Sequence, residues 1–417
     1  MNRLYTLLLI LSCFSATAQR FEWVSFTPLT SGNSGSGALH VATDPDNNIY
    51  TVSVFNDPII VGEDTLYHGG NFNRPDIVVT KWNEAGEVMA YRHFYNFSTN
   101  GNPDPQDMEF DLENNHLLVS ISSLYPGTPV TLVGNDEQED MPLEIFTGSV
   151  MRFDTDLNFV SKQDIPGGAT YSAPIAVKDG FIYASQGYVS TISKIDADNN
   201  VIWSLPSTAS MASFNGADIV VTDDDFLYVL GYYMDGFNTN QSVTLGGVTV
   251  TPPSGGASYM IVFKLDLDGV VVEGRSVAIA TSYLNPIRIT SDSDNNLYIA
   301  SGYAIPDQVI GDFTLGPLTG STDGFVVKLT DFEPQWVTEL HHTGTNLEMR
   351  DIVVNENGKV SVIGLYGGTA NIGGTQLPSS SFGTGFLVQM NDETGEIGYA
   401  TNFGSLRRVP VAHILWR

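Results

Sequence analysis

Residues 286–303, PIRITSDSDNNLYIASGY, followed by a Gly-rich loop, then GFVVKLTD at 324–331 and PQWVTELHH at 334–342, decide the fold. Apolar and polar residues alternate with period two, and each run stops at Asp, Asn, Gly or Pro, which is the pattern of short strands joined by tight turns. Four such strands make one blade of a propeller. Most of the chain is a variation on this unit.

Aligned on the second strand, the repeats give a column at Tyr50, Leu117, Tyr183, Tyr228, Tyr298 and Ser361. Turn residues precede it: DPDNN at 44–48, DLENN at 111–115, DSDNN at 292–296 and NENG at 355–358. The third strand gives Lys81, Arg152, Lys194, Lys264, Lys328 and Gln389, each framed by apolar residues. The loop between those strands gives Gly62, Gly134, Gly246, Gly311 and Gly373. Three columns recurring in one order, at intervals mostly of 61 to 71 residues, define six repeats. The third repeat lies only 45 residues before the fourth and has no member of the Gly column, so it has lost its long loop and kept its strands.

A four-stranded sheet cannot shield both of its faces, so blades stack face to face around an axis and the ring must close. The expectation is an all-β protein, a β-propeller of six four-stranded blades over residues 38–403. Before it, residues 19–37 hold an amino-terminal strand, FEWVSFTPL at 21–29, which matches QWVTEL at 335–340, and a Gly/Ser linker. After it, residues 404–417 end in RRVPVAHILWR, which reads as a first strand. The two ends either complete a partial seventh blade or pack onto a six-bladed ring; a truncated last blade is the third possibility.

Composition fits. In 417 residues, 41 Gly and 20 Pro supply turns, 22 Phe and 18 Tyr supply strand and core positions, and only 16% of residues are charged. The opening MNRLYTLLLILSCFSATAQ reads as a signal peptide over residues 1–18, with Arg3 before an apolar run and cleavage after Ala18. That run is too short to span a bilayer, and no later one is long enough, so no integral membrane segment is expected. The only cysteine, Cys13, lies in the leader, so the mature chain has no disulfide; a lipid anchor through Cys13 is the alternative to cleavage at Ala18. The net charge of -29 argues against nucleic acid and anionic lipid as partners. A monomer, secreted or on the surface of a Gram-negative-type bacterium, is expected, with the periplasm as the alternative.

The Asp-x-Asp-Asn-Asn-x-Tyr turn, the loop with V-x-L-G-type residues and the GFVVKL strand together resemble the bacterial β-propeller repeat (SBBP-type) family of exported surface proteins, over roughly Ala38 to Phe403. The resemblance implies a propeller, usually without assigned catalysis. Relatives often carry a carboxy-terminal secretion or anchoring domain.

With the first strand along the channel, loops joining strands two to three and four to one emerge on one face, the loop face. Those joining one to two and three to four emerge on the other, the turn face. On the loop face, five residues after the Tyr column, stand Phe55, Ser122, Tyr188, Tyr233, Tyr303 and Tyr366. Five aromatic rings there would form a partial circle suited to stacking on sugars or apolar ligands; the competing use is to fill the space between blades. His341 and His342 follow a fourth strand and are the best catalytic candidates among seven histidines, none at a metal-binding spacing.

The turn face carries Asp pairs such as Asp44 and Asp46, or Asp292 and Asp294. Their Asp-x-Asp-x-Asn pattern opens a calcium loop but lacks the bidentate Glu at the twelfth position. Asp and Asn are also good hairpin-turn residues, so no cofactor is expected, with Ca2+ at these turns as the alternative. The basic column reads as framework, its stems covering apolar surface. KIDADNNVIW, ending at Trp203, is similar to the repeats of quinone-dependent dehydrogenase propellers, but Trp recurs there only at Trp23 and Trp336. The sequence thus points to an exported, non-catalytic propeller that engages a glycan or extracellular protein through its loop face. A carbohydrate-active hydrolase or lyase with acid and base from the channel, a quinoprotein-like propeller and a purely structural or adhesive module are the alternatives.

Overall fold

Six four-stranded antiparallel sheets follow one another along the chain, and in each the order in space is the order in sequence. The computed structural model describes residues 37–68, 75–96, 103–123, 130–134, 140–143, 148–167, 173–186, 191–208, 213–234, 242–251, 258–280, 288–344, 347–355 and 357–405. The leader and the two end strands expected to flank the ring lie outside them. Blade 1 is built from Gly37–Thr43, Ile49–Phe55, Asp76–Trp82 and Val88–Asn96. Blade 2 uses Pro103–Asp111, His116–Ser123, Ser149–Phe153 and Phe159–Asp164. Blade 3 uses Ile175–Lys178, Phe181–Gln186, Thr191–Ile195 and Val201–Thr208. Blade 4 uses Ser213–Val221, Phe226–Met234, Ser258–Asp266 and Val271–Ala280. Blade 5 uses Arg288–Ser291, Leu297–Tyr303, Asp323–Thr330 and Glu333–His342. Blade 6 uses Leu347–Asn355, Lys359–Ile372, Thr375–Asn391 and Ile397–Ser405. The fold is the expected β-propeller, with the first strands of successive blades lying side by side along its channel. Among the described residues there is no helix, and so none long and apolar enough to cross a membrane.

The turn chemistry explains two of the sequence columns at once. Asp44 Oδ1 accepts the amides of Asp46 and Asn48 at 3.0 and 2.9 Å, while Oδ2 accepts the Asn48 side-chain amide at 2.8 Å and the Tyr50 hydroxyl at 2.9 Å. Asp292 makes the same four bonds with Asp294, Asn296 and Tyr298. A carboxylate that gathers its own turn's donors fixes the hairpin, and the Tyr reports where the second strand begins. In blade 2 the turn is one residue shorter: Asp111 pairs with His116, whereas in blade 1 Thr43 pairs with Ile49. The structural member of the Tyr column is therefore Leu118, opposite Arg152, and not Leu117.

Four members of the basic column staple their blade to the next. Lys81 donates to the carbonyl of Thr155 at 2.9 Å, Arg152 to that of Asp196 at 2.8 Å, Lys194 to that of Leu267 at 3.1 Å and Lys328 to that of Asp392 at 3.2 Å. Each acceptor lies in the turn between the third and fourth strands of the following blade. The stems cross the Tyr rings, as Lys328 does at 5.2 Å from the Tyr298 centroid, so cation–π attraction and stem packing accompany the hydrogen bond. These side chains are framework, as expected, although their charged ends meet carbonyls as well as acids. Trp203 and Trp336 donate to the same carbonyls, Leu267 and Asp392, at 3.2 and 2.8 Å.

The Gly column marks a feature the sequence pattern hides. The long loop between second and third strands contains a small hairpin of its own: Ile59–Val61 with Asp64–Leu66, Val130–Gly134 with Asp140–Leu143, Val243–Leu245 with Val248–Val250, and Val309–Ile310 with Phe313–Thr314. Gly246 and Gly247 turn one of these with φ of 54° and 88°, the conformation that only glycine adopts without strain. A Cβ on Gly246 would lie 2.5 Å from Val271 in the same blade's outer strand. Hairpins from blades 2, 4 and 6 add onto the outer strands of blades 1, 3 and 5, through Gly134 with Phe94, Leu245 with Ser207 and Ala370 with His342. Half of the outer edges are thereby capped by the neighbouring blade.

Candidate functional site

The expected aromatic circle does not stand open on the loop face. Phe55, Tyr303 and Tyr366 are 0%, 1% and 0% exposed. Phe55 packs 5.0 Å from His93, Tyr303 donates its hydroxyl to Glu339 at 2.6 Å, and Tyr366 donates to the carbonyl of Pro378 at 2.8 Å. These three rings fill space between sheets, so stacking on a sugar is not their arrangement here. Ser122 is also buried. Tyr233 pairs through its backbone with Phe214 and Tyr259, while its side chain, like the whole of Tyr188, lies outside the described residues.

The two histidines diverge. His342 is buried: Nδ1 accepts the Gly344 amide at 3.0 Å, and Nε2 faces the carbonyl of Thr322. Both ring nitrogens have backbone partners, which is a structural role. His341 is half-buried, with Nδ1 2.9 Å from Asp323 Oδ2 and Nε2 3.9 Å from Glu339 Oε2. Asp323 is fully buried and also accepts the amide of Thr319 at 2.8 Å and the Thr319 hydroxyl. Burial alone would raise its carboxyl, but the hydrogen bonds from His341 and Thr319 outweigh it and hold Asp323 below the usual carboxylate range. The same bond to Asp323 raises His341, against the pull of burial and with help from the charges of Asp323 and Glu339.

Neither carboxylate was singled out by sequence. The signal available was an Asp five residues before the basic column, present at Asp323 before Lys328 and at Asp76 before Lys81. Asp76 does the same work in blade 1, accepting the amide of Asn96 at 2.9 Å and meeting His93 at 3.0 Å, but there the histidine is buried.

The channel holds the second group of residues. Residues two places past the Tyr column in the second strands face His40, Asp107, Pro174, Asp218, Arg288 and Asp351 on the first strands. An innermost strand has an unpaired edge, and three of these side chains satisfy it by leaning onto the next blade. Asp107 accepts the amide of Ile175 at 2.9 Å, Asp218 that of Ile289 at 2.8 Å, and Arg288 donates to the carbonyl of Arg350 at 3.0 Å. His40 stands 3.8 Å from Asp107.

Glu109 is different. It sits on the first strand of blade 2 with part of its surface open, accepts no hydrogen bond among the described residues, and feels the charges of Asp107, Asp218 and Asp351 from blades 2, 4 and 6. Burial first, and then those three like charges, push its carboxyl well above the usual range. Burial likewise lifts Asp218 to about 7, with Arg288 opposing and Asp107 reinforcing, and lifts Asp104 to about 6 against Gln106 and Arg350. Among the described residues no group of three or more His, Cys, Asp or Glu side chains is arranged to hold a metal ion.

No protein-family model matches the chain, and a search of the curated proteins finds no match. Among solved structures, the chain is similar to a protein of unknown function from Dyadobacter fermentans DSM 18053, at 14% identity over 81% of this chain and 93% of that one, with a TM-score of 0.46. It is also similar to the Dos1 propeller, at 11% identity over 92% and 88% of the two chains and a TM-score of 0.39. A chain of the mitotic checkpoint complex matches at 8% identity over 87% and 95%, with a TM-score of 0.36.

Proposed function

We propose that this β-propeller is an exported, non-catalytic binding protein of the bacterial propeller-repeat type, secreted or held at the cell surface, that takes a glycan or an extracellular protein into its channel from the loop face. The observation that carries the reading is Glu109. A carboxyl kept in a channel among three other acids, with no hydrogen-bond donor among the described residues, disfavours its own ionisation. Sugar hydroxyls or a cationic side chain would supply the donors it lacks. The test is a glycan and protein binding screen on residues 19–417, followed by titration calorimetry of the hit against wild type and Glu109→Gln. Binding that weakens at least tenfold in a variant with unchanged circular dichroism supports the reading, and equal binding by both proteins overturns the placement in the channel.

A second reading has its own observation. Asp218, lifted to about 7, holds a proton near neutrality, as a general acid of a carbohydrate-active hydrolase or lyase must, and burial with its like-charged neighbours raises the Glu109 carboxyl as well. Turnover of a bound glycan, lost in Glu109→Gln while binding persists, would favour this enzyme over the binding protein.

A further inference from the structure

We infer that His341 is a pH-sensitive latch that ties the 304–322 loop of blade 5 to the end of that blade's fourth strand. The loop is held at two carboxylates and one histidine. Glu339 Oε2 accepts the amide of Gly316 at 2.9 Å, together with the Tyr303 hydroxyl at the loop's start. Asp323, at the loop's end, accepts the amide of Thr319 at 2.8 Å, and the Thr319 hydroxyl also donates to the carbonyl of His342 at 2.8 Å. His342 closes the set against Thr322.

His341 stands between the two carboxylates, 2.9 Å from Asp323 and 3.9 Å from Glu339. On its own strand the facing charge is Glu339, on the third strand it is Asp323, and from the second strand comes the Tyr303 hydroxyl. The blade 6 hairpin opposes it with Asn371, which is uncharged. Protonated, the imidazolium offsets both carboxylates and keeps them where the amides of Gly316 and Thr319 need them. Deprotonated, it leaves two negative groups facing each other across a neutral ring, and the loop's anchors lose their common counter-charge. The imidazole is raised in the folded chain, so the tie is complete below the ordinary histidine range and is lost as pH rises through the folded value.

The loop is one of those that build the loop face, so its order at the ligand side would follow pH. The exposure of His341 makes this titration reachable by solvent.

Hydrogen exchange followed by mass spectrometry, corrected for intrinsic rates, tests it on the full mature chain. Peptides covering 304–322 should lose protection several-fold between about pH 6 and about pH 9, roughly tenfold for each pKa unit by which His341 is raised. Peptides covering the blade 4 hairpin at 243–250, which has no histidine, should not. His341→Gln should remove the pH dependence. Should that variant fail to fold, the imidazole of wild type and Glu339→Gln can be titrated by NMR, and removing Glu339 should lower its pKa. Equal pH profiles in wild type and His341→Gln, or a His341 pKa at or below the ordinary 6.5, would overturn the latch.

Discussion

Trp336 of blade 5 donates its indole N–H to the carbonyl of Asp392 in blade 6 at 2.8 Å, and the ring lies flat against Gly395, where a Cβ would come within 2.6 Å. One side chain thus joins two blades by a hydrogen bond and by a face of apolar contact. Trp336→Phe keeps most of the contact and loses the bond, so a loss of about 1 kcal/mol is expected, against about 3–5 kcal/mol for Trp336→Ala. Urea unfolding of both variants checks the ordering. Equal losses would mean that the bond, not the packing, carries the joint.

The columns that identify the fold are legible because their causes are local. Asp44 fixes its turn with donors two, four and six residues on, so the pattern must appear as contiguous sequence. The basic and Trp columns are legible for a related reason: Lys81, Arg152, Lys194 and Lys328, and with them Trp203 and Trp336, meet the same turn of the next blade, so the same kind of residue recurs at the same place. The channel ring was not legible. Its members His40, Asp107, Asp218 and Asp351 lie beyond bulges in the first strands, and they meet partners some 60 to 70 residues away, as Asp107 meets Ile175 and Asp218 meets Ile289. The aromatic positions were legible as a column but not in their orientation, since exposure depends on what segments distant in sequence place over them. Tyr303 is covered because Glu339 waits for its hydroxyl, and nothing near residue 303 in sequence announces Glu339.

The acidic turns give a prediction that separates two uses of the same residues. Both Asp44 oxygens are occupied by donors from their own turn and from Tyr50, so the turn is complete as it stands. Asp44→Ala should cost about 3 kcal/mol, since it takes the acceptor from the Asp46 and Asn48 backbone amides and from the Asn48 side-chain amide, while the Tyr50 hydroxyl keeps the carbonyl of Thr155. The melting temperature of the wild-type chain is expected to be the same with and without a chelator. A fall on chelation would reassign these turns as Ca2+ sites.

The channel carboxyl Glu109 ties stability to function. Its proton is held more tightly in the folded chain than in the unfolded one, because burial and the charges of Asp107, Asp218 and Asp351 disfavour the ionised form. For a group raised in this way, the stabilising contribution is full below the unfolded value of 4.5 and is lost as pH rises toward the folded one. Glu109→Gln keeps the shape and removes the titration. The variant should match wild type near about pH 4 and be the more stable of the two near about pH 8, with a flatter dependence between, read from denaturation midpoints across that range. A residue whose replacement stabilises the scaffold is retained for some reason other than the scaffold. If Glu109→Gln instead weakens the protein equally at every pH, the carboxyl is doing framework work, and the channel loses its claim to be the binding site.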